Sequence, residues 1–78
     1  MREKVPRLVV TFHTTAEAMA TEKLCGEKGL DGKLISAPRA LSADCGLAWS
    51  APAALRSAVE AALSAAEIEV GGYYELLL

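Results

Sequence analysis

The sequence predicts a ferredoxin-like α+β fold, in which two helices cover one face of a four-stranded antiparallel sheet. The chain has 78 residues, which is the size of one domain, so we expect residues 1–78 to form a single unit. Six periodic segments follow one another in the order β-α-β-β-α-β. With right-handed crossovers, this order is most often arranged as a two-layer sandwich with strand order 4-1-3-2 and both helices on one face.

The first half of the chain predicts a strand followed by a helix. Residues 8–13 are rich in β-branched and aromatic side chains, which is typical of a strand. Thr14 and Glu17 have the spacing of a capping box, so a helix should begin after Thr14 and run to about Lys28. Gly29 suits the position after the helix end. The apolar face of this helix is expected to consist of Ala16, Met19, Ala20 and Leu24, with Cys25 at its margin.

The second half repeats the alternation of strands and helix. Further strands are predicted at residues 33–37, 46–50 and 73–78. The second helix should be capped by Ser50 or Ala51 and carry Pro52 in its first turn. Its apolar stripe should consist of Leu55, Val59, Ala62, Leu63 and Ala66. The predicted core comprises Leu8, Val10, Phe12, Leu24, Leu55, Val59 and Leu63.

Composition excludes several classes of function. The net charge of −2 and the scattered Lys and Arg residues argue against a general nucleic-acid binder. Cys25 and Cys45 have neither disulfide-scaffold nor zinc-site spacing, so we expect reduced thiols, no metal and no cofactor. No apolar run approaches the length that spans a membrane, and the N-terminus lacks a signal-peptide core. These features indicate a cytoplasmic protein that uses neither nucleic acid nor membrane as a partner.

The predicted topology brings the chemically active residues to one edge of the sheet. Strand 3 runs against strands 1 and 2, so its start meets their ends. The N-terminus of the first helix opens at the same edge, with free N–H groups that favour an anion. The candidate site therefore consists of Cys45 as the working thiol, with Arg39, Ser42, Gly46, Thr14, Thr15 and His13 as binding or stabilising residues.

This combination suits thiolate chemistry. A cysteine reacts as its thiolate, and nearby positive charge lowers its pKa. Arg39 can stabilise an anion through several N–H donors. Gly46 would let the backbone approach closely and leave the sulfur uncrowded. Asp44 opposes activation because it adds negative charge beside the thiol.

The central motif resembles a family of selenium/sulfur carrier-like proteins, the domain family DUF3343. The motif reads Pro38-Arg39-x-Leu41-Ser42-x-x-Cys45-Gly46 and matches the family pattern P-R-x-[IL]-S-x-x-C-G. The resemblance extends over nearly the whole chain. It implies a ferredoxin-like fold and a role for Cys45 in carrying sulfur or selenium, as a persulfide or selenopersulfide, between donor and acceptor proteins. A carrier of this kind would be a stoichiometric partner rather than an enzyme.

A second interpretation makes the protein a non-catalytic module that binds a small ligand or a protein. It could then form a homodimer through the open sheet face, with Val9, Thr11 and Ala48 or Trp49 supplying apolar surface. In this case Cys45 would be a small core residue, as free cysteines often are. Cys25 is expected to be a core thiol under both interpretations. His13 and Arg39 have ordinary alternatives as a strand-end residue and a surface charge.

Overall fold

A computed structural model of the chain describes residues 5–39, 41 and 46–77, and it confirms the predicted order of elements. The elements are β1 (Pro6–Thr11), α1 (Thr15–Glu27), β2 (Lys33–Ser36), β3 (Leu47–Pro52), α2 (Arg56–Ala65) and β4 (Gly72–Leu77), with one 3₁₀ turn, Ala53–Leu55, before α2. The strand boundaries differ from the predicted ones by no more than two residues. No helix in the described part of the chain is long and apolar enough to cross a membrane.

The four strands form one antiparallel sheet in the order β2-β3-β1-β4, which is the predicted order read from the other edge. In the centre of the sheet, Val10 lies opposite Trp49 on β3 and opposite Tyr73 on β4. Trp49 also lies opposite Leu34 on β2. Because directly opposed residues share a face, these side chains form one continuous apolar row across the sheet.

Both helices pack on the face that carries this row. The buried core combines strand and helix side chains: Leu8, Val10, Phe12, Ala18, Cys25, Trp49, Ala51, Val59 and Leu63. Five of the seven predicted core residues are fully buried, while Leu24 and Leu55 are partly buried and pack against the core. The periodicity of β1 and α2 therefore identifies the core correctly.

The ends of α1 are built as the sequence predicts. Thr14 is the N-cap, and its hydroxyl accepts a hydrogen bond from the Glu17 N–H, while the Glu17 side chain accepts one from the Thr14 N–H. At the other end, the Leu30 N–H donates to the Cys25 carbonyl, which closes a Schellman motif. Gly29 stands at its left-handed position with φ of 70°.

The predicted apolar face of α1 is wrong. Ala16, Met19 and Ala20 are exposed, and the buried positions are Ala18, Thr21 and Cys25. Ala16 and Ala20 lie on one side of this helix and Ala18 lies on the opposite side, so the alanines do not single out one face. Thr21 can be buried because its hydroxyl donates to the Glu17 carbonyl at 3.0 Å, which satisfies the polar group inside the helix.

The predicted start of α2 is also wrong. Ser50 and Ala51 are buried strand residues, and Pro52 is the last residue of β3 rather than the first of a helix. The Ser50 hydroxyl accepts a hydrogen bond from Arg7 Nε across the sheet at 3.1 Å, so it serves strand pairing instead of capping. Of the predicted stripe, Val59, Ala62 and Leu63 are buried, Leu55 is partly buried and Ala66 is exposed.

The opposite face of the sheet carries no helix, yet its centre is closed to solvent. Val9, Thr11 and Ala48 have exposures of 0, 1 and 0%. They therefore cannot supply accessible apolar surface for a dimer, and Trp49 lies on the helix side, contrary to the prediction. The Tyr74 ring extends over Gly72 on this face, since a Cβ at Gly72 would lie 2.8 Å from the phenol oxygen.

Candidate functional site

The candidate site lies at the edge of the sheet formed by strand termini, where β1 and β2 end and β3 and β4 begin, and not along an edge strand. Thr11, at the end of β1, lies opposite Ala48 on β3 and opposite Gly72 on β4. At the end of β2, the N–H of Ala37 donates to the carbonyl of Gly46 at 2.9 Å. The α1 N-cap, Thr14, follows the end of β1 at the same edge. The convergence that the strand order predicts is therefore confirmed for the described residues.

Five of the predicted site residues lie at this edge and are exposed: His13, Thr14, Thr15, Arg39 and Gly46. Ser42 and Cys45 lie outside the described residues, as does Asp44. Gly46 is the chain neighbour of Cys45 that the structure describes. The roles assigned to all seven residues stay predictions.

Arg39 occupies a tight turn that leaves β2. The Leu41 N–H donates to the Pro38 carbonyl at 2.9 Å, so residues 38–41 close a four-residue turn. The arginine side chain at the second position of this turn is exposed, whereas Pro38 and Leu41 on either side are half-buried. The turn thus presents a permanent positive charge to solvent at the edge where β3 begins.

Gly46 is required for its backbone conformation. Its φ is 74°, in the left-handed region that disfavours side chains. A Cβ built at this position would meet nothing within 4 Å, so close packing is not the reason for glycine. The predicted role of Gly46 in leaving the sulfur uncrowded stays a prediction. The glycine lets the chain enter β3 from the segment that contains Cys45.

The first turn of α1 already holds a negative charge. Glu17 Oε1 accepts hydrogen bonds from the backbone N–H groups of His13 and Thr14, both at 3.1 Å. The Thr14 hydroxyl accepts the Glu17 N–H at 3.3 Å. This carboxylate offsets part of the positive potential of the helix N-terminus. The row of free N–H groups expected from the sequence is therefore shorter than predicted.

Comparison with known families connects this edge to a chemistry. Residues 7–75 match the model of the family described as "Putative Se/S carrier protein-like". The chain belongs to this Se/S carrier-like family. No curated protein and no solved structure matches the sequence. The family match covers all four strands and both helices, and the central motif lies within it.

For a Se/S carrier-like protein, Cys25 is unsuitable as the carrier thiol. It is free, fully buried and part of the core. Burial raises the pKa of the Cys25 thiol above its usual value, because the thiolate loses hydration in an apolar environment. The sequence-based expectation that Cys25 is a core thiol is confirmed.

Two residues at the edge were missed by the sequence-based selection of site residues. The Thr14–Glu17 spacing predicts Glu17 as a capping residue, and the same position places its negative charge beside the candidate anion site. Tyr74 places its phenol oxygen over Gly72, which pairs with Thr11 at this edge. The alternation of Gly72 and Tyr74 on one strand face was the available signal. Among the described residues, no group of three or more His, Cys, Asp or Glu side chains could hold a metal ion.

Proposed function

We propose that this protein is a stoichiometric sulfur or selenium carrier whose working group is the thiol of Cys45. The observation that carries the proposal is the family match over residues 7–75, which includes the segment of Cys45. The exposed edge supports it, because a carrier must present its cargo to two partner proteins in turn. The partners are a donor and an acceptor of sulfur or selenium, with neither nucleic acid nor membrane involved, and the working compartment is the reducing cytoplasm.

The transfer step is an exchange between thiolates. The Cys45 thiolate attacks the terminal sulfur of a persulfide on the donor, a new S–S bond forms at Cys45, and the donor S–S bond breaks. The donor leaves as a thiolate and takes up the proton that Cys45 released. The sulfane sulfur keeps its oxidation state, so the step needs no oxidant or reductant. With a selenopersulfide donor the same exchange leaves selenium bound to the Cys45 sulfur.

Arg39 is the main stabilising charge in this proposal. The cargo is an anion, and the guanidinium at the turn after β2 is exposed and permanently charged. The Ser42 hydroxyl contributes a hydrogen bond, and the backbone N–H of Thr15, in the first turn of α1 after the N-cap Thr14, contributes another. The helix contribution is limited because Glu17 already accepts the His13 and Thr14 N–H groups. Gly46 gives the chain its left-handed entry into β3.

Intact-protein mass spectrometry tests the proposal. The folded protein is incubated with glutathione persulfide, and the mass is recorded before and after treatment with a thiol reductant. We expect a gain of one sulfur atom that the reductant removes. Cys45→Ala should abolish the gain, whereas Cys25→Ala should retain it, because Cys25 is buried and its pKa is raised.

The same experiment separates the carrier from the binding module. A protein that gains no sulfur, or that gains it at Cys25 while folded, contradicts the carrier proposal. The binding-module interpretation then becomes the better one. Arg39→Ala provides a graded test, since it should accelerate loss of the bound sulfur without preventing its transfer to Cys45.

A further inference from the structure

The outer edge strand β4 carries exposed apolar side chains. β4 lies at the end of the sheet and pairs with β1 on its inner side only. Four large apolar side chains are exposed, namely Val5, Met19, Tyr74 and Leu77, with exposures of 46, 58, 37 and 63%. Two of these four, Tyr74 and Leu77, lie on β4, and Val5 precedes Pro6, which is opposite Leu77.

The two edge strands, β2 and β4, differ in the features that prevent pairing with a further strand. β2, the other edge strand, has only four residues, begins with the exposed Lys33 and is followed by Pro38 two residues after its end. Short length, lysine and proline are the usual means of preventing edge pairing. β4 has six residues and contains neither lysine nor proline. Its single charge, Glu75, is paired with Arg56 Nη1 at 2.6 Å.

We propose that two copies of this protein pair through β4 to form one continuous eight-stranded antiparallel sheet. A two-fold axis perpendicular to the sheet relates the copies, so both pairs of helices lie on the same side. Under this symmetry, residues that lie opposite each other in the two β4 strands point to the same face of the sheet. The two-fold axis must therefore pass beside one residue of β4, which lies opposite its own copy, and not between two residues.

The charge of Glu75 determines which residue of β4 lies at the two-fold axis. A centre at Glu75 would set two carboxylates directly opposite each other, which destabilises an antiparallel pair. A centre at Tyr74 sets the two Tyr74 rings opposite each other on the open face. On the helix face it sets Tyr73 opposite Glu75 of the second copy, which gives the phenol a carboxylate to bind.

Side-chain volume is consistent with the same centre. The Tyr74-centred register sets Gly72 opposite Leu76 of the second copy and Gly71 opposite Leu77. Two residues without side chains thus meet two leucines, one of which is 63% exposed in the single chain. The Tyr74 ring over Gly72 gives the incoming Leu76 an aromatic surface to pack on.

The pairing leaves the candidate site accessible. Gly72, at the start of β4, pairs with Thr11 at the edge that carries Gly46 and His13. Because the paired β4 strands are antiparallel, the two site edges point in opposite directions. Each copy can therefore meet a donor or acceptor protein without interference from the other. The inference does not depend on the reactivity of Cys45, so it can fail or succeed independently of the proposed function.

Sedimentation velocity over a range of concentrations tests the dimer. We expect a monomer–dimer equilibrium for the natural sequence and a monomer for Leu77→Lys and for Tyr74→Lys, which place like charges on the pairing edge. The matched control is Met19→Lys, because Met19 has an exposure of 58% and belongs to α1 and not to the edge strand β4. Met19→Lys should dimerise like the natural sequence. A monomer at every concentration, or equal weakening by Met19→Lys, overturns the proposal.

Disulfide cross-linking tests the register without relying on those variants. In a background with Cys25→Ala and Cys45→Ala, Tyr74→Cys introduces a single thiol at the two-fold axis. Directly opposed residues of antiparallel strands have Cα atoms about 4.5–5.5 Å apart, which is within the range of a disulfide. Mild oxidation should produce a covalent dimer with Tyr74→Cys and much less with Met19→Cys. A stronger cross-link with Glu75→Cys than with Tyr74→Cys overturns the Tyr74-centred register.

Discussion

Thr14 and Glu17 cap helix α1 reciprocally at the edge where the motif segment enters β3. The Thr14 hydroxyl accepts the Glu17 N–H, and Glu17 Oε1 accepts the N–H groups of His13 and Thr14. The same carboxylate places a negative charge beside the proposed carrier site. The edge therefore combines an arginine that favours an anion with a glutamate that opposes it. A carrier must release its cargo as well as bind it, and this opposition limits how tightly the anion is held.

Glu17→Gln should separate the structural role of this residue from its electrostatic role. Glutamine can still accept the His13 and Thr14 N–H groups, so the cap remains and the stability loss should be about 0.3–1 kcal/mol, the value of a charge at a helix N-terminus. If Cys45 is the carrier thiol at this end of the sheet, removal of the negative charge should favour its thiolate and speed its alkylation by iodoacetamide. The control is Glu22→Gln, an exposed position of the same helix. Slower alkylation in Glu17→Gln than in this control would contradict the prediction.

Substitutions at the two residues with left-handed backbone conformation, Gly29 after α1 and Glu67 after α2, should have opposite effects on stability. α2 ends in a Schellman motif like α1, but Glu67 stands at its left-handed position with φ of 58°, where α1 has Gly29. Because a side chain is disfavoured in this conformation, Glu67→Gly should raise the free energy of unfolding by about 0.5–1 kcal/mol. Gly29→Ala should lower it by a similar amount, since a Cβ there meets nothing within 4 Å and only the backbone conformation is affected. Urea denaturation measures both; the same sign for the two variants would exclude this explanation.

The parts of the fold that could be predicted from the sequence are those where one local signal dominates. β1 alternates large apolar residues with a period of two, and the Thr14–Glu17 spacing marks the start of α1. Gly29 marks its end. In each case the residue type has a single favourable structural use, and the structure confirms it. The strand order follows from chain connectivity, which by itself places the ends of β1 and β2 beside the start of β3.

The errors occurred where several structures satisfy the same local pattern. α1 has alanines on two opposite sides, so only tertiary packing selects Ala18 and Cys25 over Ala16 and Ala20. Pro52 suits both the first turn of a helix and the end of a strand. Pairing with Arg7 on β1 decides in favour of the strand. Connectivity brings His13, Arg39 and Gly46 to one end of the sheet, while the predicted Ser42 and Cys45 lie outside the described residues.

Gly32 should tolerate no side chain, because Trp49 packs directly against it. A Cβ at Gly32 would lie 2.5 Å from Cζ2 of the Trp49 ring, and Trp49 has an exposure of only 2%. The ring cannot move without disturbing the core, so Gly32→Ala should cost about 1–3 kcal/mol, as overpacking does. The matched control is Gly26→Ala in α1, where nothing lies within 4 Å and helix propensity should add about 0.5–1 kcal/mol. Thermal unfolding followed by tryptophan fluorescence measures both; a neutral Gly32→Ala would contradict the packing.

Cys25 should make the protein less stable at alkaline pH. Burial raises the pKa of its thiol in the folded state, so the unfolded state loses the proton first as the pH rises. The stability that the buried neutral thiol contributes is fully present below the pKa of the unfolded thiol, about 8.5. It is lost as the pH increases from there through the higher pKa of the folded state. Urea denaturation at several pH values should show a decline above this point that is reduced in Cys25→Ala. An identical decline in both proteins would assign it to other groups.

The order in which the two cysteines react tests the proposed site most directly. If Cys45 is the carrier thiol, iodoacetamide near neutral pH should modify it first, while Cys25 reacts only on unfolding because it is fully buried and its pKa is raised. Arg39→Ala should slow the modification of Cys45 by removing the exposed cation of the turn. Asp44→Asn should speed it by removing a neighbouring negative charge.

Lys33→Ala is the matched control for Arg39→Ala, because Lys33 is an exposed cation at the opposite end of β2. Lys33→Ala should leave the rate of Cys45 alkylation unchanged, since screening in physiological salt limits the range over which an exposed charge acts to about 8 Å. If the two variants slow the reaction equally, the effect reflects the net charge of the protein and not the turn at Arg39. If Cys25 is alkylated rapidly in the folded protein while Cys45 is inert, Cys45 is a structural residue. A carrier must expose the atom that holds its cargo, so that result would end the carrier proposal.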